Sequence, residues 1–159
     1  MTVWNYADPN YHTVYLTSAN GVDTIKGLTP NSSTISYNSA QIYNVGIDFG
    51  GGTNAVFVDS LGVYTGLYGG SGYLGVYVGY DPGTLDGIHA ELDVTGGSGG
   101  NFLGIYDPNS YYYSFNYSYT AQPPANTWGH FYRTGGNKPS VGIYYRNMEN
   151  PYVVEGWGK

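Results

Sequence analysis

The sequence predicts an all-β chain, an antiparallel β-sandwich of jelly-roll type, with a closed antiparallel barrel as second choice. Three observations carry this expectation. Apolar and polar residues alternate with a two-residue period in most windows, helical periodicity is nearly absent, and Gly, Pro and Asp punctuate the chain at short intervals.

The elements can be justified in order. Val14 and Leu16 alternate with Thr13, Tyr15 and Thr17, so the two aliphatic side chains share one face of a strand. Tyr43, Val45, Ile47 and Phe49 oppose Asn44, Gly46 and Asp48. Ile88, Ala90, Leu92 and Val94 oppose His89, Glu91, Asp93 and Thr95, the cleanest inside/outside pattern in the chain. Further strands are expected over 55–59, 62–68, 73–80, 102–106, 129–133, 141–146 and 152–157. In SYYYSFNYSYT (110–120) every odd position from Tyr111 to Tyr119 is aromatic, which predicts a strand with five rings on one face.

Turn chemistry agrees. ADPN (7–10), YDPG (80–83) and YDPN (106–109) are Asp-Pro turns, in which Asp bonds the backbone and Pro sets φ. GGG at 50–52 suits a hairpin, GGSGG at 96–100 a flexible tip, and AQPPANT (121–127) a stiff connector. No composition break divides the chain, so residues 1–159 read as a single β-sandwich domain. A short echo, VGID (45–48), LGVY (61–64), LGVY (74–77), LGIY (103–106) and VGIY (141–144), recurs at spacings of 16, 13, 29 and 38. Those spacings are too irregular to predict a solenoid or propeller. The echo reads instead as a packing device, glycine letting a neighbouring aromatic ring lie over the backbone.

Composition narrows function. The chain has 20 Tyr and 26 Gly, with 5 basic residues against 11 acidic ones and a formal charge of −6. Nucleic-acid binders and proteins adsorbed to anionic membranes need basic surface, so neither partner is expected. No apolar run is long enough for a membrane helix, and no membrane insertion is expected. Without cysteine there are no disulfides, thiolate sites or cysteine nucleophiles. No signal peptide is visible in this numbering, yet low charge with abundant Tyr, Asn, Ser, Thr and Gly fits an extracellular or surface-exposed protein. No cofactor motif is present.

Two strings resemble known families. VGIDFGGGTNAVFV (45–58) resembles the phosphate-binding hairpins of the actin and Hsp70 ATPase superfamily, which would make Asp48, Gly50, Gly51, Gly52 and Thr53 phosphate residues. That fold needs two large α/β lobes, and a glycine-tipped hairpin accounts for the string. FYRTGGNKPSVG (131–142) and YVVEGW (152–157) are similar to the thumb and acid/base segments of family 11 xylanases, and the resemblance implies Glu155 as proton donor. Here only nine residues, 143–151, lie between segments that the family spaces by several strands. No Glu occupies the nucleophile segment, where the nearest acidic residue is Asp86.

Other candidates follow from residue type. His89, Glu91 and Asp93 form a row on a strand, with neighbours about 7 Å apart. Such a row could hold a metal with help from adjacent strands, or supply an acid/base pair; as a structural feature it is the solvated face of an amphipathic strand. Tyr111, Tyr113, Tyr117, Tyr119 and Trp128 are candidate ring platforms, with Asn116, Arg133 and Asn137 as polar partners. Tyrosine suits a surface that is apolar at its centre and wet at its edge, the character of a sugar-stacking or protein-contact face. The leading expectation is therefore non-catalytic carbohydrate recognition, as in a lectin or carbohydrate-binding module, with a neutral glycan as partner. The alternatives are a self-assembling structural subunit of a fibre, shell or appendage, whose partners are copies of itself, and a small acid/base glycoside hydrolase using Glu155, Glu91 or Asp86.

Overall fold

The computed structural model describes residues 1–5, 8–29, 33–110, 115–120, 123 and 126–155. Among them are fourteen strands: β1 (Thr2–Asn5), β2 (His12–Ala19), β3 (Val22–Lys26), β4 (Thr34–Asn38), β5 (Asn44–Phe49), β6 (Asn54–Val58), β7 (Tyr64–Tyr68), β8 (Leu74–Val78), β9 (Leu92–Thr95), β10 (Asn101–Tyr106), β11 (Phe115–Tyr119), β12 (Gly129–Gly135), β13 (Val141–Arg146) and β14 (Glu149–Val154). The only helical pieces among the described residues are two single 3₁₀ turns, Ser39–Gln41 and Pro108–Ser110.

Two mixed seven-stranded sheets form, and neither closes into a barrel. The first has the order β1-β5-β7-β9-β13-β12-β11 and the second β14-β10-β8-β6-β2-β3-β4. The all-β sandwich expectation stands. The antiparallel expectation does not, because eight of the twelve strand pairs are parallel. The chain crosses from one sheet to the other after nearly every strand and returns one strand position further along, giving five coils: β1–β2, β5–β6, β7–β8, β9–β10 and β13–β14. Each parallel crossover, which ordinarily demands a helix, is here a strand of the facing sheet. This is solenoid winding rather than the Greek-key path of a jelly roll. Only β3–β4 and β11–β12 depart from it, as antiparallel additions at opposite ends of the two sheets.

The irregular echo has a simple cause. Coil-to-coil register advances by 20 residues from Asn44 to Tyr64 and from Asn54 to Leu74. It then advances by 27 from Thr65 to Leu92 and from Leu74 to Asn101. The quoted tetrapeptides belong to different sheets and different register positions, so their mutual spacings hid the repeat.

Alternating side chains build the core in rows that cross the strands. Val14, Val56, Val76 and Leu103 make one row of the second sheet, and Leu16, Val58, Val78 and Ile105 the next. Facing them are Val45, Thr65, Leu92 and Ile143, then Ile47, Leu67, Val94 and Tyr145. All are essentially sealed from solvent. Each aliphatic member contributes about 1.5–3 kcal/mol relative to exposure.

The glycine strings form neither a hairpin nor a free tip. GGG (50–52), GGSG (69–72) and GGSGG (96–100) are successive turns at one corner, stacked backbone on backbone. A Cβ at Gly72 would lie 2.0 Å from the Gly52 carbonyl oxygen, and one at Gly97 1.7 Å from that of Gly70. Buried asparagines secure the corner: Asn54 Nδ2 donates to Gly52 O at 3.0 Å, and Asn101 Nδ2 to Gly99 O at 2.8 Å. Gly97→Ala should therefore destabilise the fold by about 1–3 kcal/mol or more, as overpacking does. At Gly100 the added methyl would meet only the Tyr73 ring at 3.4 Å, so Gly100→Ala should stay within about 1 kcal/mol of the parent. Urea-unfolding midpoints of the two variants check the contrast.

Candidate functional site

The outer faces of both sheets carry a recurring Gly-x-Tyr arrangement. Residues two apart share a face, so the ring can fold back over the glycine. Tyr68 lies against Gly66, where a Cβ would be 2.5 Å from its hydroxyl oxygen, and its Cε2 reaches to 3.5 Å of the Gly46 position. Tyr106 covers Gly104, Tyr73 and Tyr77 flank Gly75, and Tyr132 lies beside Gly142. The packing device expected from the echo is what the structure contains.

The two outer faces differ in how they present their rings. On the second sheet Tyr15, Phe57 and Tyr77 stack at centroid distances of 5.3 and 5.0 Å with planes 17° and 15° apart. Their faces are pressed together, leaving edges to solvent. On the first sheet, one register row reads Trp4, Asp48, Tyr68, Thr95, Arg146 across β1, β5, β7, β9 and β13. Trp128, just before β12, continues it, with the Arg146 guanidinium 4.8 Å from its ring centroid. Trp4 is 68% and Trp128 47% exposed. Tyr68 rests on glycine, and no second ring stacks on it among the described residues. Arg146 Nε also donates to Thr95 Oγ1 at 3.2 Å, fixing the guanidinium in the row.

Beside this row stands a network of hydroxyls and carboxylates. Tyr64 donates to Asp93 Oδ2 at 2.5 Å, and Tyr132 to the Tyr144 hydroxyl at 2.5 Å. Burial, then the bond to Asp93, pushes the Tyr64 hydroxyl pKa up. Tyr144 is pushed up to about 12, first by the Tyr132 bond. Burial and the Asp93 charge also push the Glu91 carboxyl up. The face thus offers phenol hydroxyls with a carboxylate acceptor alongside.

The sequence candidates fall in several places. Tyr111 and Tyr113 lie outside the described residues. In β11 the ring face points inward: Phe115 and Tyr117 are half-buried, and Asn116 and Ser118 are exposed. Tyr117 packs 6.1 Å from Phe131 by ring centroid and donates to Asp107, so it is no open platform. Tyr119 reaches the rim, 46% exposed. Asn137 is a left-handed turn residue, φ 55°, between β12 and β13. His89 lies before β9, not within it, and its Nε2 sits 2.9 Å from Asp86 O. The expected His89/Glu91/Asp93 row is therefore broken, and no cluster of three or more potential metal ligands exists among the described residues. Glu155 follows β14 at the edge of the second sheet, whereas Asp93 belongs to β9 of the first sheet and Glu91 immediately precedes that strand. Of the expected platform residues, Trp128 joins the row. Trp4, Asp48, Tyr68, Thr95 and Arg146 were missed; the Gly-x-Tyr string at 66–68 was their one local signal.

Arg133 is corrected most sharply. It is fully buried, not a surface partner. Its Nη1 lies 3.2 Å from both Asp107 oxygens and 3.0 Å from Asp86 Oδ1, the latter an ion-pair distance without hydrogen-bond alignment. Asp107 also accepts from Leu85 N, Ser110 Oγ and Tyr117 Oη, and Lys138 Nζ lies 2.9 Å from Asp86 Oδ2. Two carboxylates and two cations thus tie β11–β12 to the segments before β9 and after β10.

Burial alone would push the Asp86 carboxyl up, but the Lys138 bond and the Arg133 charge outweigh it and hold the pKa below the ordinary 3.8. A depressed folded pKa contributes stability above the unfolded value, lost as pH falls through the folded one. Asp86→Asn should lower stability at pH 7 and flatten the loss of stability below about pH 4, read from urea unfolding across pH. Asp107→Asn, which sets a neutral amide against the buried guanidinium, should cost about 3 kcal/mol at pH 7.

No protein-family model matches the chain, and no curated protein or solved structure is significantly similar to it, so the reading of this face rests on its own geometry.

Proposed function

We propose that this chain is a non-catalytic glycan-recognition module, and that the Trp4–Asp48–Tyr68–Thr95–Arg146–Trp128 row is its binding face. The observation that carries the reading is the alternation along that row: three rings separated by a carboxylate, a hydroxyl and a guanidinium, all in strand register. Pyranose rings present apolar C–H faces and polar rims, and this row offers a partner for each. Six positions, five on strands and Trp128 just before β12, at about 4.8 Å spacing make a track roughly 24 Å long, enough for an oligosaccharide of several units. Trp4 and Tyr68, two strands apart, are separated by about 10 Å, near the length of a disaccharide.

A neutral ligand fits best. The charge of −6 repels polyanions, and Asp48 and Arg146 balance each other within the row. Recognition by stacking and short hydrogen bonds should be nearly independent of salt. Hydrolysis is the weaker reading, because Asp93 on β9 is bonded to Tyr64, Glu91 lies just before that strand, and Glu155 follows the edge strand of the other sheet.

Calorimetric titration with neutral oligosaccharides of the cello-, xylo-, manno- and chito- series should find a ligand. Trp4→Ala and Trp128→Ala should each weaken it about tenfold, ~1.4 kcal/mol. Tyr15→Ala, on the opposite face, should leave affinity unchanged. No binding at millimolar saccharide, or binding indifferent to both tryptophans, would overturn the proposal.

A further inference from the structure

We infer that this chain also stacks head to tail on copies of itself, each copy continuing both sheets of the one before. Four independent observations converge on a second copy as the occupant of both ends.

The core rows stop half-covered. In the row Val3, Ile47, Leu67, Val94, Tyr145 the four later members are sealed, but Val3, on the edge strand, is only half-buried. In the row Leu16, Val58, Val78, Ile105, Val153 the exception is Val153, on the opposite end's edge strand. Ile35 and Tyr37 of β4, at the β1 end, are half-buried too.

Strand polarity matches. β4 runs parallel to β2, because β3 reverses it twice, and therefore parallel to β14. By the same double reversal through β12, β11 runs parallel to β1. A copy translated along the coil axis would set β1 beside β11 and β4 beside β14, each pair parallel like those between coils.

Strand number and offset match as well. Both sheets hold seven strands, so one translation of about 34 Å continues both. The second sheet runs two strands beyond β1, and the first runs two strands beyond β14. The ends are therefore stepped in opposite senses, and β3–β4 of one copy would fall opposite β11–β12 of the next.

Among the described residues, three of the four edge strands lack the usual guards. β1, β4 and β11 contain no charged residue and no proline; β14 alone carries Glu149 and Pro151. A contact between unlike ends does not close, so it propagates into a rod.

Negative-stain microscopy and sedimentation of the pure protein across a concentration series test this. Rods with an axial repeat of about 34 Å and a fibre reflection near 4.8 Å are expected. Bonded pairs at Gly27–Ser33 and Gly21–Ser39 bracket β3–β4, which leaves the Ser36 N–H pointing to the free edge. Ser36→Pro should melt like the parent but not polymerise, and added in small amounts it should shorten parental rods by capping one end. Ser36→Thr should assemble normally. A parent that stays monomeric throughout the series, rods of another repeat, or a folded Ser36→Pro protein that polymerises like the parent would overturn the inference. Should Ser36→Pro fail to fold, the parental repeat still decides. None of these readouts depends on glycan binding.

Discussion

The structure depends on one constraint, that successive coils lie a single strand spacing apart, about 4.8 Å, along their whole length. Strands meet this through their hydrogen-bond ladders, but a turn with side chains would not. At the glycine corner, carbonyl oxygens of one turn occupy the space a Cβ would need in the next. The backbone polar groups brought together there are satisfied by Asn54 and Asn101, whose side chains bond within the turns they adjoin. Strict register follows, and with it the sealed rows of Val, Leu and Ile between the sheets.

Parallel sheets are usually covered by helices on their outer faces. Among the described residues there is no α-helix to supply that cover, and tyrosine lies over the outer faces instead. A ring laid on a glycine, as Tyr68 on Gly66, shields backbone from water, and a tyrosine hydroxyl can in addition find a carboxylate, as Tyr64 does with Asp93. Phenylalanine could do the first but not the second. The consequence for function is geometric. Rings stacked on one another, as along Tyr15, Phe57 and Tyr77, are spent on each other, whereas Tyr68, resting on Gly66, has no second ring stacked on it among the described residues.

The two antiparallel additions solve a different problem, since they must attach to a coil without belonging to its repeat. β11–β12 does so with charge. Arg133 is buried against Asp107 and Asp86, and Lys138 brings the four formal charges to balance. Such a group adds less net stability than an apolar filling of equal volume, but it tolerates only one placement of the hairpin. Phe115 lies over the guanidinium, 4.3 Å from it by ring centroid, and Tyr117 bonds Asp107, so two rings of β11 join this group.

By itself the sequence determined that the chain is all-β, nearly where its strands lie, and that glycine and tyrosine act as partners two residues apart; these are local properties, set by periodicity and φ preferences within a few residues. Strand direction, the solenoid path, the burial of Arg133 and the outward row from Trp4 to Trp128 were decided only by tertiary structure. A two-residue period says that neighbours face opposite ways, not which way is in. The rings of β11 show the point: Phe115 and Tyr117 are half-buried, with Tyr117 packed on Phe131, whereas Tyr119 of the same strand reaches the rim. A glycine turn likewise says that the chain bends, not whether it returns beside its own strand or crosses to the facing sheet. Those choices rest on contacts 20 to 51 residues apart, from Asn44 to Tyr64 and from Leu92 to Ile143, whose energy exists only once the coils have closed on one another.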